Sequence, residues 1–447
     1  HRQGNSLHVQ EHQRKQSLAR ETSILAKVLF SQNDDSDDAL VECERLAATA
    51  GTRIASGITQ RRNSMNVATA FGKGKVEELA ALVEHHEAHV VIFDNDLSPA
   101  QTRNLEAAVH AKVIDRTELI LDIFASNASS LESRLAVELA QLEYSLPRLK
   151  RMWTHLDRVK MGVGMRGPGE KQLEVDRRLV EKRISDLRKE LQVIEKRKER
   201  LVQSRSDVMT VSLVGYTNAG KSTVMNVLTA ADVLAEDKLF ATLDTRTRRW
   251  HLPNWGPILL SDTVGFIKNL PHRLVASFKA TLEEARNADL LLHIADGSNP
   301  AVYDQIQAVY QVLEEIDIKE TDSLLVINKI DQMPTPQLLD VILNRYPHAI
   351  AISAVTKEGF ESLSMAVSDA LSRSFLELNV QTDVANGKLM AFIAARGEIL
   401  SKQFSETEVS IHCRLPVKFA GQIDRTQATV SEVTGDDQRL PHITEEA

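Results

Sequence analysis

Cysteine is nearly absent: the 447 residues hold two, Cys43 and Cys413, far apart in unrelated contexts. That excludes a disulfide framework and a thiolate zinc site, and it suits a reducing compartment, so a cytoplasmic protein is expected. Long apolar runs are missing too. No stretch approaches the roughly 18 consecutive apolar residues of a membrane-spanning helix. The opening HRQGNSLHVQEHQRKQSLARE lacks the apolar segment of a secretory signal and begins without Met. Residues 1–22 are therefore expected to be the disordered leader of a trimmed chain rather than a transit peptide. With no anchor in the sequence, no membrane partner is expected. Tryptophan is scarce, and Trp153, Trp250 and Trp255 read as packing residues rather than stacking platforms. His85, His86 and His89 lie on or beside one helix but have no carboxylate or thiolate partner at metal-ligand spacing. Repeats with a period of 20–50 residues are not visible, which excludes a solenoid.

An excess of positive charge is also lacking overall, since the net charge is −8. Its distribution says more. From Leu146 to Arg205 there are 18 Lys+Arg against 9 Asp+Glu, a local +9 that leaves −17 for the rest of the chain. Such asymmetry points to a polyanionic partner for one segment; the bland alternative is a solvated helical face.

The length allows roughly three domains. SILAKVLF, HVVIFD and KVID read as short strands between helical stretches, so residues 23–126 are expected to form a small α/β unit with mainly parallel strands. SRLAVELAQLEYSLPRL then leads to KMGVGMRGPGEKQLEVDRR, where glycines crowd in front of a charged helix. Val180, Ile184, Leu187, Leu191, Ile194 and Leu201 follow it at helical spacing, broken at Lys198. Residues 127–205 thus read as a helical hairpin with an apolar seam and a glycine-rich tip. From Met209, apolar strands recur at MTVSLV, PILLSD, DLLLHIAD, SLLVINK and HAIAIS, the pattern of a doubly wound α/β domain over residues 206–373. Residues 374–430 read as a small α+β domain and 431–447 as a disordered tail.

The chemistry lies in the doubly wound part. GYTNAGKS, with Gly215, Tyr216, Thr217, Asn218, Ala219, Gly220, Lys221 and Ser222 followed by Thr223, sits between a strand and a helix, as a P-loop does. Its backbone N–H groups would cradle phosphates, Lys221 would neutralise their charge, and the Ser222 hydroxyl would ligate Mg2+. DTVG (Asp262, Thr263, Val264, Gly265) ends a strand about 40 residues on. Its carboxylate suits the magnesium shell through water, and the Gly265 N–H suits a γ-phosphate. NKID (Asn328, Lys329, Ile330, Asp331) closes another strand, where the Asp331 carboxylate can accept two hydrogen bonds from guanine but not from adenine. Ser353, Ala354 and Val355 open SAVTKEG, and Ala354 is expected to give a backbone contact to the base. These elements in this order specify a guanine-nucleotide domain binding GTP and GDP. Between the first two lies LFATLDTRTRRW. There Phe240, Ala241, Thr242, Leu243 and Asp244 are expected at the nucleotide, with Thr242 as the first-switch hydroxyl for Mg2+ and Thr245 and Thr247 as competitors. Lys221, Thr242 and Gly265 are the catalytic candidates. Phe266 follows DTVG where Ras-like proteins have a water-orienting glutamine, so unassisted hydrolysis should be slow.

With GYTNAGKST, LFATLD, DTVGFIKNLPHRLVASFKATLEEARNAD and NKID assembled, the chain resembles HflX, a family of the Obg-HflX group of GTPases. FGKGKVEEL, VIFDNDLSPAQTRNLE and GVGMRGPGEKQLEVDRRLVEKRI extend the likeness to about Ser23–Gln422. The resemblance implies a monomeric factor that binds the large ribosomal subunit and its RNA, splits stalled ribosomes in the GTP state and leaves after hydrolysis. It implies too that the hairpin tip reaches ribosomal RNA, with Gly162, Gly164, Gly167 and Gly169 allowing close approach and Arg166 and Lys171 meeting phosphates. A purely structural turn is the alternative for the tip. In several related GTPases an asparagine at the position of Asn218 helps hold K+, which makes K+ a second candidate cofactor. Met165, Lys171, Thr245 and Phe71 depart from frequent family residues. A competing function is a GTP-regulated RNA or ribosome-assembly factor whose turnover is incidental; a membrane-associated regulator would need an anchor the sequence does not show.

Overall fold

The structure is a computed structural model and describes residues 21–30, 39–152, 168–204, 208–230, 239–240, 246–253, 256–267, 284–315, 318, 323–372 and 375–433. Side chains at 149–152, 168–176, 198–204 and 418 fall outside that description.

The first sheet joins β1 (Thr22–Leu29), β2 (Arg53–Arg61), β3 (Val90–Phe93) and β4 (Lys112–Asp115) in the order β2-β1-β3-β4, parallel throughout. β2, in RIASGITQR, is a strand that hydropathy did not reveal: residues of both faces are half-buried, so no period of two emerges. The crossovers are α1 (Val41–Thr49), α2 (Lys73–His85) and α3 (Pro99–Val109). α3 starts where it does because Ser98 and Gln101 form a reciprocal capping box and Pro99 is preset for a first helical turn. α4 (Arg116–Asn127) begins at Asp115, whose carboxylate accepts the Glu118 N–H at 2.9 Å.

Two long helices follow, α5 (Leu131–Met152) and α6 (Pro168–Ser204). Leu135, Leu139, Ile184 and Leu187 bury their seam, flanked by Leu142, Leu146, Val180, Leu191 and Ile194, as the spacing predicts. Arg183 grips Glu138 with two hydrogen bonds of 2.7 and 2.8 Å. The expected tip, with Gly162, Gly164, Arg166 and Gly167, lies outside the described residues, and Gly169 and Lys171 are described as α6 backbone alone. The root is pinned to the first unit: Asp115 accepts from Tyr144 Oη at 2.7 Å and from Arg148 Nη2 at 2.9 Å.

The second sheet has the order β10-β9-β8-β5-β7-β6. Its strands are β5 (Thr210–Gly215), β6 (Arg246–Leu252), β7 (Gly256–Asp262), β8 (Leu290–Asp296), β9 (Ser323–Asn328) and β10 (Ile350–Ala351), and β6 pairs antiparallel to β7 while the other pairs are parallel. Its helices include α7 (Lys221–Leu228), α8 (Val302–Glu315), α9 (Pro336–Arg345) and α10 (Phe360–Ser372). Every residue of β8 is buried, which is why LLLHIAD reads as a continuous apolar run rather than an alternation. β5 sits where connections diverge to β7 on one side and β8 on the other, the place where such sheets bind ligands at their carboxyl edge.

The last unit is antiparallel: β11 (Phe375–Asp383), α11 (Gly387–Arg396), β12 (Glu398–Phe404), β13 (Glu408–Pro416), α12 (Val417–Ala420) and β14 (Ala428–Glu432), in the sheet order β12-β13-β11-β14. Strand and helix alternate as in the β-α-β-β-α-β ferredoxin-like motif. Leu378, Val380, Val409, Ile411 and Cys413 bury one face of that sheet with Ile393 and Phe419.

The units are not independent. One apolar cluster runs from Leu46, Ile120 and Phe124 of the first unit into Val214, Tyr216, Phe240 and Phe266 around the P-loop.

Candidate functional site

β5 delivers the chain to a tight turn at Gly215, φ 151°, where a Cβ would lie 2.1 Å from the Ile294 carbonyl oxygen. No other residue fits there. Gly220, φ 90°, is equally constrained, since a Cβ would meet Asn328 Nδ2 at 2.4 Å. Asn218 between them is left-handed as well, with φ 62°. The result is a loop of backbone N–H groups opening on the N-terminus of α7, a geometry suited to phosphate. Lys221 folds back over the loop, and its Nζ donates to the carbonyls of Gly215 at 3.1 Å and Tyr216 at 3.0 Å. Burial lowers its pKa from 10.5 to about 8, against the pull of the Asp262 carboxylate.

Ser222 Oγ donates to Asp262 Oδ2 at 2.7 Å, so the α7 hydroxyl and the β7 carboxylate share one corner. Two hard oxygen donors side by side at the mouth of a phosphate loop fit a divalent magnesium ion. Thr263 Oγ1 donates to the Leu213 carbonyl at 2.7 Å, which locks the end of β7 to β5. Gly265 then passes so close to the P-loop that a Cβ would sit 2.8 Å from Thr217 Cα and 3.0 Å from Lys221 Nζ. Phe266 continues the pairing, its N–H donating to Gly215 O at 3.1 Å and its carbonyl accepting from Thr217 N at 2.7 Å. Its ring is buried in the core shared with the first unit, turned away from solvent.

At the other end of the site Asn328 acts as a bracket. Its Nδ2 donates to the Ala219 carbonyl at 2.9 Å, and its Oδ1 accepts the Ala354 N–H at 3.1 Å. P-loop, β9 and the loop after β10 are thereby fixed together. Ala354 is expected from the sequence to give a backbone contact to the base; its N–H is engaged by Asn328 here. Asp331 Oδ1 accepts from Ser353 Oγ at 2.6 Å, while Ser353 Oγ itself accepts the Thr356 N–H at 3.0 Å. Ile330 and Asp331 lie in a short 3-10 turn after left-handed Lys329, and Val355 is exposed. Thr223 continues the first turn of α7.

Ala241, Thr242, Leu243 and Asp244 lie outside the described residues, as does Thr245; Thr247, the other competing threonine, is in the β6 ladder opposite Ser261. Trp250, read as a packing residue, is buried in the core of this unit.

Three residues escaped the sequence reading. Asp296, at the end of β8, binds Lys329 Nζ at 2.7 Å and is itself held by Ser298 Oγ at 2.6 Å. A carboxylate closing an all-apolar strand was the available signal. His293, two strands from the edge in β8, is pushed down to about 3 by burial and by the Lys221 charge, so it stays neutral and adds no competing positive charge. Glu42 receives the hydroxyl of Tyr216, whose side chain turns out of the P-loop toward the first unit, and it also binds Arg116 at 2.9 Å. Arg116 is bonded in turn to Asp94, which Lys27 meets at 2.7 Å.

The chain is similar to known GTPases along most of its length. Residues 37–125 match the family described as GTP-binding GTPase N-terminal, 127–205 the GTP-binding GTPase Middle Region, and 210–329 the 50S ribosome-binding GTPase. The GTPase HflX of Escherichia coli (strain K12) is 45% identical over 404 residues, covering 89% of this chain and 94% of that protein. That of Magnetococcus marinus is 45% identical over 387 residues, with 86% and 89% covered. Among solved structures, a GTP-binding protein from the archaeon Sulfolobus solfataricus in complex with GDP is 24% identical, with a TM-score of 0.43 over 78% of this chain and 98% of that one.

Proposed function

This chain belongs to the HflX family of GTPases, ribosome-binding enzymes that hydrolyse GTP, and on that premise we propose that it splits stalled ribosomes. In the GTP state it binds the large subunit and inserts the tip between α5 and α6 along ribosomal RNA; hydrolysis releases it. The observation that carries this reading is the basic helix pair rooted on the same unit that packs against the P-loop, which gives nucleotide state a mechanical route to the segment of local charge +9. Glycines 162, 164, 167 and 169 would allow close backbone approach to RNA, and Arg166 and Lys171 would meet phosphates.

At the nucleotide, Lys221 neutralises phosphate charge, the Gly265 N–H meets the γ-phosphate, and Asp331 reads guanine. Ser222 and Thr242 would hold magnesium directly, with Asp262 through water; when bound, the ion supplies charge neutralisation between the β- and γ-phosphates. Asn218, at the fourth P-loop position, would help hold K+. The Phe266 ring cannot orient water by hydrogen bonding, so hydrolysis is slow until the ribosome completes the site.

Sedimentation of 70S ribosomes with the protein and a non-hydrolysable GTP analogue tests the proposal. A shift to free subunits is expected, and intact 70S particles with the protein bound would overturn it. The buried Phe266 favours a second reading, a GTP-regulated RNA or assembly factor with incidental turnover. GTP turnover that large subunits fail to stimulate would select it.

A further inference from the structure

Among the described residues with left-handed backbone, Phe240, φ 56°, carries the only phenyl ring. A bulky L-residue in that region crowds its Cβ against the following carbonyl, and it persists only where surrounding contacts over-determine it. Three contacts do so here. The Phe240 N–H donates to Thr217 Oγ1 of the P-loop at 2.9 Å. Its carbonyl accepts from Asn127 Nδ2 at 2.9 Å. Its ring stands edge-to-face on Phe124, with centroids 4.6 Å apart and planes at 90°. Two of these three contacts come from α4, outside the nucleotide-binding unit.

We propose that Asn127 and Phe124 are positioning residues for GTP hydrolysis: they hold Phe240 strained against Thr217, and turnover requires Phe240 to leave that conformation. Strain makes the arrangement bistable, because relief of the left-handed backbone favours release while the three contacts favour retention. Phe240 opens the segment read as the first switch, so the hold acts on the residue where that segment starts. α4 also links to the helix pair. Its C-terminal end grips Phe240, and its N-cap Asp115 is bonded to Tyr144 and Arg148 of α5. Whatever displaces the helix pair therefore loosens or tightens the hold on Phe240, and by linkage the reverse is true of binding. This second step rests on the ribosomal function proposed above; the first rests on GTP hydrolysis alone.

The test is steady-state GTP hydrolysis by the full chain without ribosomes. Asn127→Ala removes one neutral hydrogen bond to Phe240 and substitutes no residue of the P-loop, DTVG or NKID. A rise in kcat of about 5-fold is expected, the ratio one such bond is worth, with KM for GTP within about 2-fold of wild type. Asn127→Asp should match it, because a carboxylate has no hydrogen to give the Phe240 carbonyl. Phe124→Leu, which keeps the buried site apolar but removes the ring contact, gives a second route to the same rise should the first variants fold poorly. Unchanged or lower kcat in the folded variants, or a change confined to KM, would overturn the proposal. With large subunits added, wild type and variants should converge on one stimulated rate. Wild type that large subunits do not stimulate would count against the ribosomal function, while the ribosome-free comparison would still decide the role of Asn127.

Discussion

Replacing Asp331 by Asn tests the assignment of the base-reading residue, and the structure fixes how the amide must turn. Ser353 Oγ already accepts the Thr356 N–H at 3.0 Å, so its own hydrogen must go to residue 331, as it now does at 2.6 Å. In Asp331→Asn the amide oxygen therefore faces Ser353 and the NH2 group faces the base. Guanine presents N1–H and an exocyclic amine there, so donor meets donor. Loss of the charge-assisted hydrogen bonds, about 1.5–3 kcal/mol each, is partly screened at an exposed residue, and a net loss of about 3 kcal/mol is a ~100-fold weaker GTP complex. Xanthosine nucleotides carry an acceptor in place of the amine and should bind the variant about 10-fold or more tighter than they bind wild type. Competition of unlabelled GTP and xanthosine triphosphate against a fluorescent nucleotide measures both constants. Adding Ser353→Ala should let the amide flip and return part of the GTP affinity. The reasoning fails if Asp331→Asn binds GTP within about 3-fold of wild type, or if xanthosine triphosphate gains nothing.

Further outcomes can be checked separately. Lys221 must be charged to pair with phosphate, and burial lowers its pKa to about 8, so deprotonation competes with binding above that pH. GTP affinity should fall roughly 10-fold from pH 7 to pH 9, and a flat profile by calorimetry would contradict the assigned role. If Asn218 helps hold K+, turnover should be faster in potassium than in sodium buffers, and Asn218→Ala should erase the difference; a potassium effect that survives the substitution places the ion elsewhere. Leu187 is wholly buried in the α5–α6 seam, so Leu187→Ala should destabilise the helix pair by about 2–4 kcal/mol. Amide exchange that quickens in α5 and α6 while β5 and β8 stay protected is the expected signature.

Much of the local geometry of the candidate nucleotide site was legible in the sequence, because each of its motifs is local. GYTNAGKS encodes a strand, a turn that only glycine can make at Gly215 and Gly220, and a helix N-terminus, so spacing alone carries the geometry. The seam of the helix pair was legible for the same reason, its period being that of one helix face. β2 and β11 were not, because their burial depends on neighbours supplied from elsewhere in the chain. The same limit hid the connection between the units. Tyr216 meets Glu42 across 174 residues and Asn127 meets Phe240 across 113, separations that leave no periodic mark. Nothing in LFATLD announces that Phe240 is left-handed. A backbone conformation of that kind is held by contacts from Thr217, Phe124 and Asn127 together, which meet at one point because the first unit packs against the P-loop. Local spacing determined which residues could handle phosphate and guanine; tertiary packing decided what holds them, because the strain it sustains is set by atoms that the sequence places far apart.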